Sequence, residues 1–197
     1  MSSLEIVAAL FGVVSVFLSV RQNIWSWPTA IVNVGLYIFV FYDSKLYADT
    51  GLQVVYVALN AYGWYHWLCG GKNRTELPVT RTRVRVGLLL SGLVVAGTVL
   101  IGTLLTRNTD AALPYLDALT TSTSLVAQWM MTRKLLENWL VWVAVDVVYI
   151  GMYINKSLYV TAVLYFIFLL LSIMGFIQWR RALSTSTNRQ QQTIYAD

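Results

Sequence analysis

Charge is scarce in this chain. Asp, Glu, Lys and Arg make up 12% of its 197 residues, roughly half the share found in a soluble domain. Cysteine is nearly missing. Cys69 stands alone, which excludes an intrachain disulfide and a multi-cysteine metal site. His66 is the single histidine, so there is no histidine cluster for haem or metal. No glycine-rich loop ends in Lys followed by Ser or Thr, which removes the phosphate cradle of an ATP-hydrolysing site. No nucleophile sits beside a base in a supporting motif. These absences speak against an enzyme, a cofactor and a bound metal. The residues ahead of the first apolar run include no Lys or Arg, unlike a cleaved signal, so that run is read as a span. The formal net charge of +5 does not indicate nucleic acid. The basic residues sit in short stretches beside apolar runs, where they act as topology signals.

What fills the chain is apolar and aromatic. Hydrophobic residues make up 57% of it, with 8 Trp and 12 Tyr, residues that favour membrane interfaces. Seven apolar runs stand out, at 4–20, 27–41, 51–67, 84–105, 116–131, 139–154 and 158–179. None shows the one-sided polar face of a soluble surface helix. The predicted class is all-α and transmembrane. Several runs are shorter than the roughly 20 residues of a straight span, so tight packing against neighbours is expected. Pro28 opens the second run, where its missing N–H costs little.

The chain also repeats itself. A shift of 112 residues, with no gap, places Trp27 on Trp139, Tyr37 on Tyr149, Leu46 and Tyr47 on Leu158 and Tyr159, Gly63 on Gly175, and Trp67 on Trp179. Corresponding runs are four spans apart, so the halves point the same way. The predicted architecture is 3+1+3, with repeat 1 at about 4–68, a linker helix at about 84–105 and repeat 2 at about 116–181. Parallel halves that build one polar site between them are a design used by carriers. Eleven of the 14 Lys and Arg fall after the first, third, fifth and seventh runs; Lys45, Arg107 and Lys156 fall on the other side. The positive-inside rule then puts the N-terminus outside and the C-terminus in the cytoplasm. Residues 182–197 are rich in Ser, Thr, Asn and Gln and read as a flexible cytoplasmic tail.

Two clusters could carry chemistry. In residues 60–67, Asn60, Trp64 and Trp67 recur at helical spacing, with Gly63 between them. They suit either a stacking site for an aromatic ligand or an interfacial aromatic belt with a packing glycine. The second cluster begins at Gln128, continues through Arg133, Lys134, Glu137 and Asn138, and forms a stripe of Trp139, Trp142, Asp146, Tyr149 and Tyr153 down the sixth run. A carboxylate at mid-span marks a pathway, a proton relay or a buried pair. For Asp146 the structural alternative is a helix–helix bond to Asn33 or Tyr37 of the matching run. Glu137 is expected to pair with Arg133 or Lys134. The hydroxyl run of residues 120–124 either bonds back to helix carbonyls or lines a polar path.

These clusters resemble a known family. Residues 60–67 match the NxYGWxxW block of the Pnu-type vitamin and nucleoside transporters. Gln128, Trp129, Arg133, Lys134, Glu137, Asn138, Trp139, Trp142, Asp146, Tyr149, Lys156, Leu158 and Tyr159 resemble the family's second signature. Trp25, Ser26, Trp27 and Pro28 with Asn33 resemble its first-half counterpart. The likeness spans roughly 4–181 and is nearest to the family's nicotinamide riboside carriers. It implies a SWEET-like fold, often a homotrimer, in the bacterial inner membrane. It also implies uptake by facilitated diffusion, with a cytoplasmic kinase trapping the substrate. Members carry nicotinamide riboside, thiamine, riboflavin or deoxynucleosides; thiamine and proton coupling through Asp146 are the alternatives here. A membrane scaffold or sensor is the alternative outside transport. The expected contact residues are Asn60, Trp64, Gln128, Asn138, Trp139, Trp142, Asp146 and Tyr149, then Asn33, Tyr37, Trp67 and Tyr153.

Overall fold

An apolar chain satisfies its backbone polar groups most simply inside helices, and the computed structural model is helical. It describes residues 3–43, 47–109, 113–155 and 157–194. Seven α-helices are present among them: α1 Ser3–Val20, α2 Ser26–Asp43, α3 Tyr47–Cys69, α4 Val84–Asn108, α5 Pro114–Thr132, α6 Asn138–Asn155 and α7 Tyr159–Ile194. There is no strand among the described residues beyond one isolated bridge between Thr80 and Leu135. Among the described residues, four helical stretches are long and apolar enough to cross a membrane: α1, α4, α6 and Tyr159–Thr185 of α7.

Each predicted run became a helix within a few residues of its expected ends. The last differs: α7 continues to Ile194, so residues 182–194 of the expected flexible tail are helical. A formed helix extends at little cost, because each added residue brings its own backbone bond. Lys45, Leu46 and Lys156, used in the charge count, repeat or resemblance, lie outside the described residues, as do residues 195–197.

The helix boundaries carry the repeat. Shifted by 112, α1 ends where α5 ends, α2 coincides with α6 at both ends, and α3 begins where α7 begins. The turns match too. Gln22 (φ 53°) and Lys134 (φ 48°) are left-handed. The Gln22 N–H bonds the Ser19 carbonyl and the Asn23 N–H the Leu18 carbonyl, mirrored by Lys134 to Met131 and Leu135 to Met130. Both turns are therefore Schellman caps, in which the left-handed residue satisfies carbonyls the helix end leaves open. Helices pack in the order α1, α2, α3, α5, α6, α7 and back to α1, with α4 lying on α5.

The core is a cluster of four tryptophans. Trp27 meets Trp67 edge to face (5.1 Å, 88°), and Trp139 meets Trp179 the same way (5.3 Å, 88°). Trp67 and Trp179 meet across the halves at 5.8 Å. Trp67 Nε1 donates to the Met131 carbonyl (3.0 Å), and Trp179 Nε1 to the Ser19 carbonyl (3.1 Å). These two bonds are the same bond under the shift, each crossing to the other half. They draw the C-terminal ends of α1 and α5 to one end of the molecule, beside Trp67 of α3 and Trp179 of α7.

The connection from α3 to α4 crosses this end. The Leu77 N–H bonds the Trp67 carbonyl, the Thr80 N–H bonds the Lys134 carbonyl, and the Leu136 N–H bonds the Thr80 carbonyl. Val79 is buried in the tryptophan core. Glu137 does not form the expected ion pair. Its Oε2 accepts from the Thr82 N–H and hydroxyl, both at 2.7 Å, because two local donors reach it directly as α4 begins.

Trp27 and Trp139 seat on glycines. A Cβ at Gly63 would overlap the Trp27 ring, and one at Gly175 would stand 2.5 Å from the Trp139 ring. Gly151 has nothing within 4 Å of that position. Gly63→Ala and Gly175→Ala should each destabilise the protein by about 1–3 kcal/mol through overpacking, whereas Gly151→Ala should be neutral or slightly stabilising. Thermal unfolding in detergent micelles checks this; equal midpoints for all three variants would contradict the seating.

Candidate functional site

A cavity of about 590 Å³ runs inside the helix ring. At one end it is lined by Glu5, Phe41, Leu52, Tyr153 and Thr161, near the N-terminal ends of α1, α3 and α7. At the other it stops on Ser19, Ser26, Trp27, Met131 and Trp139. The tryptophan cluster is thus its floor. From Glu5 to Ser19 it follows roughly 20 Å of helix.

The walls are aromatic with a few polar groups. Asn60 is buried, and its Oδ1 accepts from Gln128 Nε2 at 2.7 Å. This bond leaves Asn60 Nδ2 as a donor and Gln128 Oε1 as an acceptor. Asp146 is 3% exposed, and its Oδ2 accepts from the Ser172 hydroxyl at 3.2 Å. The expected alternative of a bond to Asn33 or Tyr37 is not what holds it: Asn33 Nδ2 donates to the Ala8 carbonyl (2.6 Å) and ties α2 to α1. Trp142 is half-buried on the wall. Tyr149, Tyr153 and Tyr165 form a mutual cluster, with centroids 4.7 to 5.9 Å apart. Among the described residues, no Lys, Arg or His lines the cavity, while two carboxylates, Glu5 and Asp146, do. Asp146 is buried and Glu5 half-buried; a buried carboxylate favours a cationic partner, so the cavity is electrostatically suited to a positive ligand.

Nine of the expected contact residues meet on this surface: Asn33, Tyr37, Asn60, Gln128, Trp139, Trp142, Asp146, Tyr149 and Tyr153. Three do not line it. Trp64 is 39% exposed on the outer face of α3, because it lies about 40° round the helix from Asn60, on the side away from Gly63. Trp67 sits in the core with its N–H committed to Met131. Asn138 is buried at the start of α6, where Nδ2 bonds the Leu135 carbonyl at 2.6 Å and closes the α5–α6 turn. Trp139 lines the floor, but its ring is packed against Trp179 and Gly175 rather than offered for stacking.

The hydroxyl run divides between its two readings. Thr120 and Thr123 bond back to helix carbonyls, while Thr121 and Ser124 line the cavity. Residues the sequence reading missed include Gln53, Tyr56, Tyr165, Phe168 and Ser172. A signal was present: Gln53, Tyr56 and Asn60 share one helical face, and the shift of 112 carries them onto Tyr165, Phe168 and Ser172.

Below the floor, a smaller cavity of about 360 Å³ is lined by Gln22, Trp25, Trp67, Glu76 and Lys134, among others. Lys134 is 6% exposed, with its ammonium 4.4 Å from the Trp67 ring centroid. Burial pushes its pKa below the ordinary lysine value, and Glu76 opposes that shift. Arg133 lies over Tyr62 and Trp129 and meets His66 Nε2 at 3.1 Å.

A family described as nicotinamide mononucleotide transporter matches residues 2–181. The chain is 27% identical to a protein of Escherichia coli named nicotinamide riboside transporter PnuC, over 91% of this chain and 85% of that protein. It is 26% identical to a Streptomyces davaonensis protein named riboflavin/roseoflavin transporter RibM, over 89% and 83%. A solved structure, described as that of the vitamin B3 transporter PnuC, is similar with a TM-score of 0.74 and 27% identity, over 92% of this chain and 82% of that one.

The Asn60–Gln128 bond should couple the two side chains. In a double-mutant cycle with Asn60→Ala and Gln128→Ala, the unfolding free energies should depart from additivity by about 1 kcal/mol. Strict additivity would mean that the amides are independent.

Proposed function

The chain belongs to the nicotinamide mononucleotide transporter family, a group of multi-pass membrane transporters, and we propose that it takes up nicotinamide riboside by facilitated diffusion. The observation that carries this reading is the charge of the cavity: two carboxylates, an indole wall and no basic lining residue among those described. Nicotinamide riboside is a flat cation with a carboxamide. Trp142 offers its ring face to the pyridinium, a favourable cation–π contact, and Asp146 supplies the counter-charge. Asn60 Nδ2 and Gln128 Oε1 match the carboxamide oxygen and amine. The names of the Escherichia coli protein and of a Neisseria mucosa relative at 28% identity support the choice. Trp64, Asn138 and Trp67 are not part of this proposed contact set.

The same charge supports metabolic trapping. A phosphorylated product would bring negative charge to a cavity that already holds two carboxylates, so a cytoplasmic kinase would make the step one-way. The coincident helix bounds support a SWEET-like 3+1+3 architecture in which α4 joins two triplets. The exposed apolar residues of α4, Leu88, Leu89, Val95 and Leu100 among them, suit lipid and the neighbours of a homotrimer. Arg21 and Arg133 follow the helix ends that the tryptophans draw together, and Arg180 and Arg181 follow Trp179 within α7, so the positive-inside rule makes that end cytoplasmic and the cavity open outward, in a bacterial inner membrane.

The riboflavin/roseoflavin relative favours a second reading, in which another flat vitamin is carried. Thiamine, also a cation, fits the same charge. Proteoliposomes should take up labelled nicotinamide riboside, and Trp142→Ala and Asp146→Asn should each slow uptake by about ten-fold or more, the scale of one lost cation contact. An imposed pH difference should leave the final level unchanged. Wild-type uptake of thiamine or riboflavin but not nicotinamide riboside would replace the substrate; accumulation driven by pH would replace the mechanism.

A further inference from the structure

The cavity below the floor holds a cation without a counter-ion. Lys134 is 6% exposed, and its side chain lines that cavity. The ammonium rests on the Trp67 ring, 4.4 Å from the centroid, and has no hydrogen-bond or ion-pair partner among the described residues. It is not sealed from the cavity, unlike the buried indole N–H groups of Trp27 and Trp139. Buried charges are normally paired. Glu76, the one carboxylate on this lining among the described residues, is exposed and acts on Lys134 only at a distance. The second half of the pair is therefore missing from the protein itself. Both halves of the repeat build the surroundings. Under the 112-residue shift Lys134 corresponds to Gln22, the other left-handed cap, and Gln22 lines the same cavity. One turn thus offers an ammonium and the other an amide, which also donates. Trp25, 65% exposed, adds an open indole.

We propose that this lower cavity binds a nucleoside monophosphate, with the phosphate on Lys134 and Gln22 and the ring against Trp25, and that the bound molecule holds the two halves closed. A phosphate takes charge-assisted hydrogen bonds from an ammonium and an amide. The cavity, at about 360 Å³, has the size of a small-molecule site and exceeds what a bare phosphate fills. The closure rests on the carrier reading above, which makes this the cytoplasmic side, where a kinase would produce such a monoester. The two cavities then sort ligands by charge. The upper one, with Glu5 and Asp146, receives a cation; the lower one, with Lys134, receives its phosphorylated product. A ligand held by Gln22 and Lys134 ties the α1–α2 turn to the α5–α6 turn, directly beside the Trp67 bond that joins the halves. Inward opening has to part those turns. Accumulated product thereby slows further uptake.

The probes are nicotinamide mononucleotide and inorganic phosphate, titrated by calorimetry into the full chain in detergent. Wild type should bind the mononucleotide, and inorganic phosphate about ten-fold or more weakly, since it lacks the ring contact. Lys134→Gln repeats in the second half the residue the first half carries at the same left-handed turn, so the cap is kept and the charge removed. It should lower mononucleotide affinity about ten-fold or more, the scale of a hydrogen bond to a charged group. Glu76→Gln removes the opposing charge and should raise affinity about three-fold; it decides the matter if Lys134→Gln does not fold. Trp142→Ala, in the upper cavity, should leave mononucleotide affinity within about two-fold. In proteoliposomes, mononucleotide on both faces should slow nicotinamide riboside uptake by wild type but not by Lys134→Gln. Without mononucleotide the two proteins should take up nicotinamide riboside within about two-fold of each other. No mononucleotide binding, or binding that survives Lys134→Gln or is lost in Trp142→Ala, overturns the site. Equal affinity for inorganic phosphate overturns the choice of a monoester. Binding through Lys134 without slower uptake overturns the closure. A wild type that takes up no nicotinamide riboside overturns the carrier reading and the closure with it, while the calorimetry still decides the site.

Discussion

Two indole-to-carbonyl bonds hold this structure in register. Trp67 of α3 reaches the last turn of α5, and Trp179 of α7 reaches the last turn of α1. Each carbonyl already accepts from the left-handed residue that caps its helix, Lys134 or Gln22, and takes the indole on its second lone pair. The bonds therefore satisfy two indole N–H groups that would otherwise be stranded in an apolar core. Because each crosses between halves, neither half can satisfy its own indole alone. The floor of the cavity, the packing of Trp27 and Trp139 on Gly63 and Gly175, and the course of the α3–α4 connection beneath them all follow from this exchange.

Symmetry builds the frame and its loss builds the site. The positions that lock the halves are the same residue type in both copies: Trp27 and Trp139, Gly63 and Gly175, Trp67 and Trp179. Tyr37 and Tyr149 also match, but several other positions that face the cavity have diverged. Val34 stands where the second half has Asp146, Ala30 where it has Trp142, and Val16 where it has Gln128, while Ser172 replaces Asn60. The second half thus carries Asp146, the Trp142 indole and Gln128, and Asn60 of the first half completes the amide pair. A ligand with different ends meets a surface with different ends, which two identical halves could not offer.

The limits of sequence reading show at particular residues. Asn60, Trp64 and Trp67 recur at helical spacing, yet only Asn60 faces the cavity. Its neighbours on the same stripe fall to either side of a narrow buried arc, Trp64 outward and Trp67 into the core. Asn138 looked like a ligand contact because it is polar and precedes a tryptophan stripe; it closes a turn instead. Glu137 looked like half of an ion pair because basic residues precede it, and the backbone of a strand-like connection 55 positions earlier in the chain claimed it first. Spacing gives the angle of a side chain about its own helix, but not which neighbour stands at that angle.

The order of residues alone determined the seven helices, the 112-residue repeat and the chemistry held at mid-span. Those follow from local rules, namely apolar length, turn residues and the cost of a carboxylate away from water. The tertiary structure alone decided that Trp67 and Trp179 exchange bonds across the halves, that the buried indole N–H groups of Trp27 and Trp139 find no partner among the described residues, and that Ser172 rather than Asn33 holds Asp146. Each of those depends on which helix lies beside which, and residues as far apart as Ser19 and Trp179 become neighbours only once the ring of helices closes.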